Sequence, residues 1–424
     1  MTLRIGILTF GSRGDVQPFV ALAIALADRG AKPLLAAHPL FRPMVEGAGV
    51  DFAPLAGDPL DWMARQARLK AAVGKPRFAR EFSSFREKHV PLMRAMLSDS
   101  VAVADEVDAL IYSHGALAGP HLHQARGLPV AYAGLQPWET TRANPSVMFG
   151  QRPMLPSLLQ AWWNRASHPL AERLVWHPWM GVVNEWRSGE LGLPPLGAFE
   201  SPWRLPGQNA VHIYGYSPVV APPPADWPPG RNVTGWWRPP ETVRWEPETA
   251  LQEFLARGDP PVYVGFGSQV PLDPAQVRSV VLGALELLDR RVILASGWAG
   301  LDLLPEGADR LFTVADVPHE WLFQKTAAVV HHGGAGTTGA AVRAGVPQVV
   351  VPSFFDQFFW AERVRALGVG TTVPAAKLTA ARLGAAVEQA LRPEVRMRAQ
   401  ELAKLVAEER GADRAAGLLL DHLG

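Results

Sequence analysis

The sequence predicts an α/β protein with two Rossmann-like domains that face each other across a cleft. Short apolar runs alternate with helix-compatible stretches in the first half, and a second series of the same kind begins at 261–266. Between them lies a proline-rich stretch, SPVVAPPP at 217–224 and DWPPG at 226–230. Proline-rich stretches are extended and semi-rigid, and strands alternating with helices are typical of parallel sheets covered by helices.

These boundaries divide the chain into a first domain over residues 1–216, a linker over 217–232 and a second domain over 233–394. The remaining residues, 395–424, begin with a helix candidate at 395–409. At 424 residues and 48% hydrophobic residues, the chain is long enough to bury two cores.

Composition excludes several classes of protein. A net charge of +1 argues against an electrostatic nucleic-acid binder, which would carry a dense basic patch. Without cysteine, the chain has no disulfide, thiolate nucleophile or cysteine-bound metal. The first apolar stretch is interrupted at 11–14, and no apolar run approaches the ~20 residues of a membrane-spanning helix. We expect a soluble, cytoplasmic protein without an integral membrane segment.

The motif HHGGAGTT at 331–338 predicts a phosphate site. It follows an apolar run at 327–330, which indicates a buried strand, and leads into a helix-compatible segment at 338–344. Backbone N–H groups at a helix N-terminus are unpaired and lie at the positive end of the helix dipole, so they favour an anion.

The side chains of this motif fit the same interpretation. Gly333, Gly334 and Gly336 allow close approach of the backbone to a diphosphate, and His332 and Thr337 add side-chain donors. The alternative is a tight strand-to-helix turn with a histidine in the core. Polar residues at the carboxyl end of a strand favour the ligand site, because ligands bind at that edge of an open α/β sheet.

A second loop follows the next predicted strand, 348–351, and contains Asp356 and Gln357. A carboxylate and an amide side by side suit recognition of vicinal hydroxyl groups. The alternative is that Asp356 caps the helix predicted over 358–367.

Asp15 ends the loop GSRGD at 11–15, between a predicted strand at 4–10 and a helix at 19–27 that begins after Pro18. A carboxylate at this edge could take a proton from a hydroxyl nucleophile, and the helix dipole is expected to keep it ionised. The alternative is a helix N-cap.

With these motifs the chain resembles a family, the inverting nucleotide-sugar-dependent glycosyltransferases of the GT-B fold, in the group of antibiotic and sterol glycosyltransferases. The resemblance covers nearly the whole chain. It includes LTFGSRGDVQPFVALAIAL at 8–26, YVGFGS at 263–268, VADVPHEWLF at 314–323 and PSFFDQFFWAERV at 352–364, besides the glycine motif.

The resemblance implies a role for each candidate residue. Asp15 would be the general base. The donor sugar nucleotide would be held by Ser12, Ser268, the backbone near Val317, His332, Gly333, Gly334, Gly336, Thr337, Asp356 and Gln357. It also implies that the C-terminal helix crosses back to the first domain.

The expected donor is UDP-glucose, and the expected acceptor is the hydroxyl of a hydrophobic small molecule such as a sterol or terpenoid. A dTDP-deoxysugar donor with a polyketide, macrolide or glycopeptide acceptor is the alternative. Phe355 and Phe358 depart from the family pattern, which commonly has a small residue and a proline there, and this leaves the donor sugar open.

Candidate acceptor residues are His114, which follows an apolar run at 109–112, and Trp138. A core or surface histidine is the alternative for His114. The first domain is rich in large apolar side chains interrupted by prolines, as expected for loops that hold an apolar acceptor. For Trp162 and Trp163 we expect a core or acceptor position, with a peripheral membrane contact as the alternative.

No cofactor and no metal are expected. The chain lacks an Asp-x-Asp motif, and a helix N-terminus with His332 and Thr337 could stabilise the leaving diphosphate instead. Two other classes of function stay open. A GT-B-like epimerase or hydrolase would need further acid or base groups, for which Glu139 and His114 are candidates. A non-catalytic partner subunit would lose part of the donor motif, which is intact here.

Overall fold

The computed structural model describes residues 2–58, 61, 78–149, 155–197, 200–203, 210–239, 245–267, 274–288, 290–295, 310–315, 317–353 and 355–424. They form two compact units. The first contains residues 1–218, 222–240 and 410–424, and the second contains 219–221 and 241–409.

The first unit is a parallel sheet in the order β3-β2-β1-β4-β5-β6-β7. Its strands are β1 (Arg4–Leu8), β2 (Lys32–Ala37), β3 (Asp51–Pro54), β4 (Ala109–Tyr112), β5 (Val130–Gly134), β6 (Val211–Tyr214) and β7 (Arg231–Val233). Its helices are α1 (Arg13–Ala27), α2 (Arg42–Glu46), α3 (Phe78–Asp105), α4 (Ala118–Arg126), α5 (Ser157–Trp176), α6 (Met180–Gly189) and, after the second unit, α14 (Gly411–Leu423).

The second unit is a parallel sheet in the order β10-β9-β8-β11-β12-β13. Its strands are β8 (Val262–Gly265), β9 (Val292–Ala295), β10 (Leu311–Val314), β11 (Ala328–His331), β12 (Gln348–Val350) and β13 (Gly370–Thr372). Its helices are α7 (Thr249–Ala256), α8 (Pro274–Leu287), α9 (His319–Phe323), α10 (Ala335–Arg343), α11 (Gln357–Ala366), α12 (Ala380–Ala390) and α13 (Pro393–Val406).

Both sheets are buried and consist of the apolar strands that the sequence indicates. The central strands β1, β4, β8 and β11 consist almost wholly of buried residues, as expected for parallel strands covered by helices on both faces. Each sheet reverses its strand order once, between β1 and β4 in the first unit and between β8 and β11 in the second. Ligands of such sheets bind at the carboxyl ends of the strands beside this reversal. The predicted fold class of two parallel-sheet α/β domains is confirmed.

The structure divides the chain differently from the predicted linker. Residues 222–240 belong to the first unit, because β7 extends its sheet and Asp226 accepts hydrogen bonds from the Thr141 hydroxyl, at 2.5 Å, and the Arg142 N–H, at 2.7 Å. The predicted helix at 395–409 lies in the second unit as α13, whereas the residues beyond it form α14, which packs against α1 in the first unit.

Candidate functional site

Asp15 lies in the first turn of α1, at the carboxyl end of β1. Ser12 occupies the N-cap position, and Asp15 is three residues further on. The Asp15 oxygen Oδ2 accepts hydrogen bonds from the Ser12 N–H at 2.7 Å and from the Ser12 hydroxyl at 2.9 Å. The N-cap interpretation of Asp15 is therefore wrong. Its carboxylate instead reaches back to the cap residue, as the third residue of a capping box does.

This hydrogen bonding distinguishes the two oxygens of the Asp15 carboxyl group. Oδ2 is held by Ser12, whereas Oδ1 accepts no hydrogen bond from the described residues. The Asp15 residue as a whole is partly buried. Burial raises the pKa of Asp15 above its ordinary value, and the hydrogen bonds from Ser12 lower it by less. The helix dipole was expected to keep this group ionised and so to make it a weaker base, whereas burial changes its pKa in the opposite direction. A raised pKa makes the carboxylate a stronger base.

His114 follows β4, the neighbour of β1 at the strand reversal, and its ring packs against two tryptophans. The His114 ring centroid is 3.8 Å from that of Trp138 and 4.4 Å from that of Trp203, which is stacked on it. The Trp203 indole N–H donates to the His114 carbonyl oxygen at 2.9 Å. Thus both predicted acceptor candidates share one aromatic cluster, and Trp203 is a member that sequence analysis missed.

The Glu139 side chain is held by three residues of the first unit. It is buried and accepts hydrogen bonds from His212 and from the Tyr214 hydroxyl, at 2.8 Å, and Arg231 lies 3.3 Å away. Its negative charge is thus compensated inside the first unit by residues of β6 and β7. These contacts favour a structural role for Glu139 over the acid or base role that an epimerase or hydrolase would need from it.

In the second unit, the glycine motif joins β11 to α10, which begins at Ala335, three residues before the predicted start. Gly336 and Thr337 therefore lie in the first helical turn. The first backbone hydrogen bond of the helix runs from the Thr338 N–H to the Gly334 carbonyl, at 2.9 Å. The N–H groups of residues 335–337 precede it and point out of the helix N-terminus, as a phosphate site requires.

His331 is the core histidine that the alternative interpretation proposed. It is fully buried, accepts the Gly333 N–H at Nδ1 over 3.1 Å, and pairs through Nε2 with the Gln348 side-chain oxygen at 2.9 Å. Burial lowers its pKa to about 3, so it is neutral at neutral pH. Its function here is to fix the backbone of the glycine loop.

His332 faces the loop and has an unpaired nitrogen. Its Nδ1 is buried and has no hydrogen-bond partner among the described residues. Burial, followed by the nearby His319, lowers its pKa to about 4. A Cβ atom at Gly334 would lie 2.6 Å from His332 Nε2, and one at Gly267 would lie 3.0 Å from Cε1. Both glycines therefore make room for this ring, which is placed to donate to a ligand as a neutral imidazole.

Asp356 and Gln357 lie at the start of α11, and their contacts differ from those predicted. The Asp356 oxygen Oδ2 accepts the Trp360 indole N–H at 2.9 Å, and its side chain makes no capping bond. Gln357 is buried, and its side-chain oxygen accepts the Ser353 N–H and hydroxyl, both at 2.9 Å. Asp356 thus occupies the N-cap position that the alternative interpretation gave it, but its side chain bonds to Trp360 and makes no capping bond. Both side chains are held in place by residues of their own loop and helix.

Phe355, directly before this pair, has φ 45°, a left-handed conformation that is rare for a large side chain. Such a residue persists only where its surroundings enforce it. The sequence departure at this position therefore coincides with backbone strain beside Asp356.

Val317 lies in the loop after β10, at the same edge of the sheet, and its side chain packs against the core of the second unit. The contact of its backbone with the nucleotide base stays a prediction. Ser268 lies outside the described residues. Among those described, no group of three or more His, Asp or Glu side chains converges as metal ligands, and no helix is long and apolar enough to cross a membrane.

Comparison with known families agrees with this arrangement. Residues 5–145 match the model of the glycosyltransferase family 28 N-terminal domain. Residues 279–415 match the erythromycin biosynthesis protein CIII-like C-terminal domain. A sterol 3-beta-glucosyltransferase of Arabidopsis thaliana is 35% identical, over 99% of this chain and 68% of that protein. The chain belongs to the GT-B nucleotide-sugar-dependent glycosyltransferases.

Other relatives of this glycosyltransferase are longer. A sterol 3-beta-glucosyltransferase of Aspergillus fumigatus is 36% identical over 97% of this chain, which spans only 29% of that relative. Solved structures match the GT-B fold along the chain. The kitacinnamycin glycosyltransferase has a TM-score of 0.68 at 20% identity, with 100% of both chains covered. The glycosyltransferase SnogD of Streptomyces nogalater has a TM-score of 0.62 at 21% identity, again with 100% of both chains covered.

Proposed function

We propose that this glycosyltransferase moves glucose from UDP-glucose to the hydroxyl of a sterol, with inversion at the anomeric carbon. The observation that carries the proposal is the 35% identity to a sterol 3-beta-glucosyltransferase along 99% of the chain. The donor motif and the Asp15 loop both fall inside that aligned length.

The second unit supplies what a leaving diphosphate needs. Its negative charge would be met by the free N–H groups of α10, the Thr337 hydroxyl and the His332 ring, all on one loop. His332 is neutral in the free protein, because its pKa is about 4. It would therefore contribute a hydrogen bond rather than a charge when the nucleotide arrives. These donors make metal-independent transfer our proposal.

The first unit supplies the base. As the acceptor oxygen attacks the anomeric carbon, the acceptor proton would pass to Oδ1 of Asp15, while the bond between that carbon and the diphosphate oxygen breaks. Ser12 holds Oδ2 and so orients the other oxygen. The raised pKa of Asp15 brings its basicity nearer to neutral pH, where proton transfer is most effective.

The alternative acceptor class is an antibiotic aglycone with a dTDP-deoxysugar donor. It is favoured by the match of residues 279–415 to the erythromycin biosynthesis protein CIII-like domain. The solved structures that match are near 20% identical and support the fold alone. The higher identity to sterol glucosyltransferases along the chain favours the sterol.

The deciding experiment is calorimetric titration of the purified protein with UDP, dTDP, UDP-glucose and dTDP-glucose in EDTA, followed by product analysis with a 3β-hydroxysterol. We expect tighter binding of the uridine ligands and a β-glucoside, identified by mass and by the anomeric proton coupling. Preference for thymidine ligands would transfer the proposal to the deoxysugar class. Free glucose formed without acceptor would indicate a hydrolase.

His332→Ala tests the donor site within the same experiment. We expect it to weaken UDP binding about tenfold, the loss of roughly one hydrogen bond to a charged group. His177→Ala is the control, since His177 is an exposed histidine of the first unit. Equal UDP affinity of the wild type and His332→Ala would show that His332 does not contact the nucleotide.

A further inference from the structure

Helix α5 exposes an unusual number of large apolar side chains. Leu158 is 85% exposed and Trp162 is 68% exposed. Of the eleven large hydrophobic side chains exposed among the described residues, six lie between 155 and 174: Leu155, Leu158, Leu159, Trp162, Leu170 and Leu174. All but Leu155 lie on α5 itself. Such clustering on one element marks an interaction surface, whereas isolated exposed leucines need no explanation. The expectation of a core position is wrong for Trp162.

The opposite half of α5 is polar and buried. Asn164 donates to the Arg142 carbonyl at 2.7 Å, and His168 Nε2 lies 3.1 Å from the Asn144 carbonyl. The Ser167 hydroxyl accepts the Ser146 N–H at 2.8 Å. These bonds tie the polar half to the loop at 141–149. The helix therefore cannot turn its leucines inward without leaving buried polar groups unpaired.

The charge of the exposed half is positive. Arg165 and Arg173 are exposed there, and Glu172, the only acidic residue of α5, is half-buried. A helix with leucines, a tryptophan and arginines on its outer side, and too polar to cross a bilayer, is typical of one that lies in the interface of an anionic membrane. We call the exposed side chains of Leu158, Leu159, Trp162, Arg165, Leu170, Arg173 and Leu174 the outer face of α5.

We infer that the outer face of α5 docks on an anionic lipid surface. The leucines and Trp162 enter the boundary of the acyl chains while the arginines meet the headgroup charge. The loop bonded to the inner half of α5 continues from Trp138, whose ring packs against His114. Docking thus places this aromatic cluster close to the membrane. The link to a bilayer-dissolved acceptor rests on the proposed function, whereas the lipid contact does not.

Flotation of the full chain with vesicles tests the inference, in the absence of donor and acceptor. Vesicles of phosphatidylcholine alone are compared with vesicles containing about 30% phosphatidylglycerol, a composition that gives a strongly anionic surface. We expect binding to the anionic vesicles that weakens with salt. The double variant Leu158→Gln/Trp162→Ser should lower the partition coefficient about tenfold or more, and Arg165→Gln about fivefold.

Leu405→Gln is the matched control, because Leu405 is also exposed but lies on α13 of the second unit. It should bind vesicles as the wild type does. Absence of wild-type binding to anionic vesicles, or binding unchanged in the double variant, would overturn the inference. So would light scattering that shows a wild-type dimer converted to a monomer by the double variant, since a second copy would then cover the face.

Turnover of detergent-dispersed sterol separates this inference from the proposed function. A chain that glucosylates dispersed sterol without binding vesicles would refute the membrane contact alone. One that binds vesicles through α5 but transfers no sugar would refute the sterol function alone. UDP affinity and circular dichroism of each variant exclude misfolding as the cause of lost binding.

Discussion

Gly11 and Asp15 are spatially coupled: the carboxyl group of Asp15 occupies the volume that a side chain at position 11 would take. A Cβ atom at Gly11 would lie 2.6 Å from Asp15 Cγ. Gly11 also has φ 141°, a conformation that L-residues rarely adopt. The orientation of the candidate base thus depends on a glycine four residues before it.

Gly11→Ala should therefore displace the Asp15 carboxylate and lower kcat about 100-fold, the effect of an ångström-scale misplacement of a catalytic group. UDP affinity should stay unchanged. Gly30→Ala is the matched control, because Gly30 also has positive φ, 89°, but no atom within 4 Å of its added Cβ. Steady-state kinetics and UDP titration of both variants provide the measurement. Equal kinetic losses in the two would mean that backbone strain, and not the position of Asp15, determines the rate.

Asp15→Asn keeps the shape of the side chain but removes its ability to take a proton. We expect kcat to fall by about 10²–10⁴-fold, the usual contribution of general base catalysis. The affinity for UDP, measured by calorimetry, should change less than about twofold, because the substitution leaves the diphosphate loop intact. Loss of UDP binding to the same degree as kcat would contradict the assignment of Asp15 as the base.

The pH dependence of the reaction should report the pKa of Asp15. Because burial raises that pKa above 3.8, kcat/KM should fall as the pH decreases through the raised value, when the base becomes protonated. Ser12→Ala removes a hydrogen bond that lowers the pKa, so the acid limb should move to higher pH. A profile unaffected by Ser12→Ala would assign the limb to another group.

The sequence could predict those parts of the site that are formed by residues close together along the chain. The donor loop could be placed because a strand, glycines and a helix start follow one another within 331–343. Contacts between residues far apart along the chain could not be predicted in this way. Trp203 reaches His114 from 89 residues away, and no sequence pattern signals that contact. The partners of Glu139 on β6 and β7 depend on strand order in the same way.

The differences at helix starts have a physical cause. Glycine has low helix propensity, so the sequence predicts a loop at 335–337. In the structure this segment is the first turn of α10. Asp15 and Asp356 each precede or open a helix, a pattern typical of N-caps. Their side chains bond instead to Ser12 and Trp360, and this choice depends on side-chain geometry that the pattern does not contain.

Gly336→Ala and Gly334→Ala form a pair that separates a ligand cradle from a structural turn. An added Cβ at Gly336 meets no protein atom within 4 Å, whereas one at Gly334 would lie 2.6 Å from His332 Nε2. Gly336→Ala should leave stability equal or raise it by about 0.5–1 kcal/mol, since alanine favours the helix. It should nevertheless weaken UDP binding about tenfold, because the methyl group blocks approach of the diphosphate.

Gly334→Ala should reduce both the thermal unfolding midpoint and UDP affinity, since its methyl group collides with the His332 ring. Thermal unfolding and UDP titration of the two variants give the comparison. Unchanged UDP affinity in Gly336→Ala would show that the N-terminus of α10 does not hold the nucleotide.

His331 should make the second unit sensitive to acid. Its pKa is about 3 in the folded protein, lowered by burial from 6.5. The unfolded chain therefore binds one more proton than the folded chain between these pH values, and the free energy of unfolding should decrease as the pH falls below 6.5. The slope approaches about 1.4 kcal/mol per pH unit.

His331→Asn tests this acid sensitivity. The variant should be less stable at neutral pH, because the bonds to Gly333 and Gln348 are weakened, but its stability should decrease less between about pH 7 and 5. Chemical unfolding at several pH values measures both slopes, and the other titrating groups cancel in their difference. Parallel slopes for the wild type and His331→Asn would mean that His331 takes up its proton at the same pH in the folded and unfolded protein, contrary to its buried hydrogen bonding.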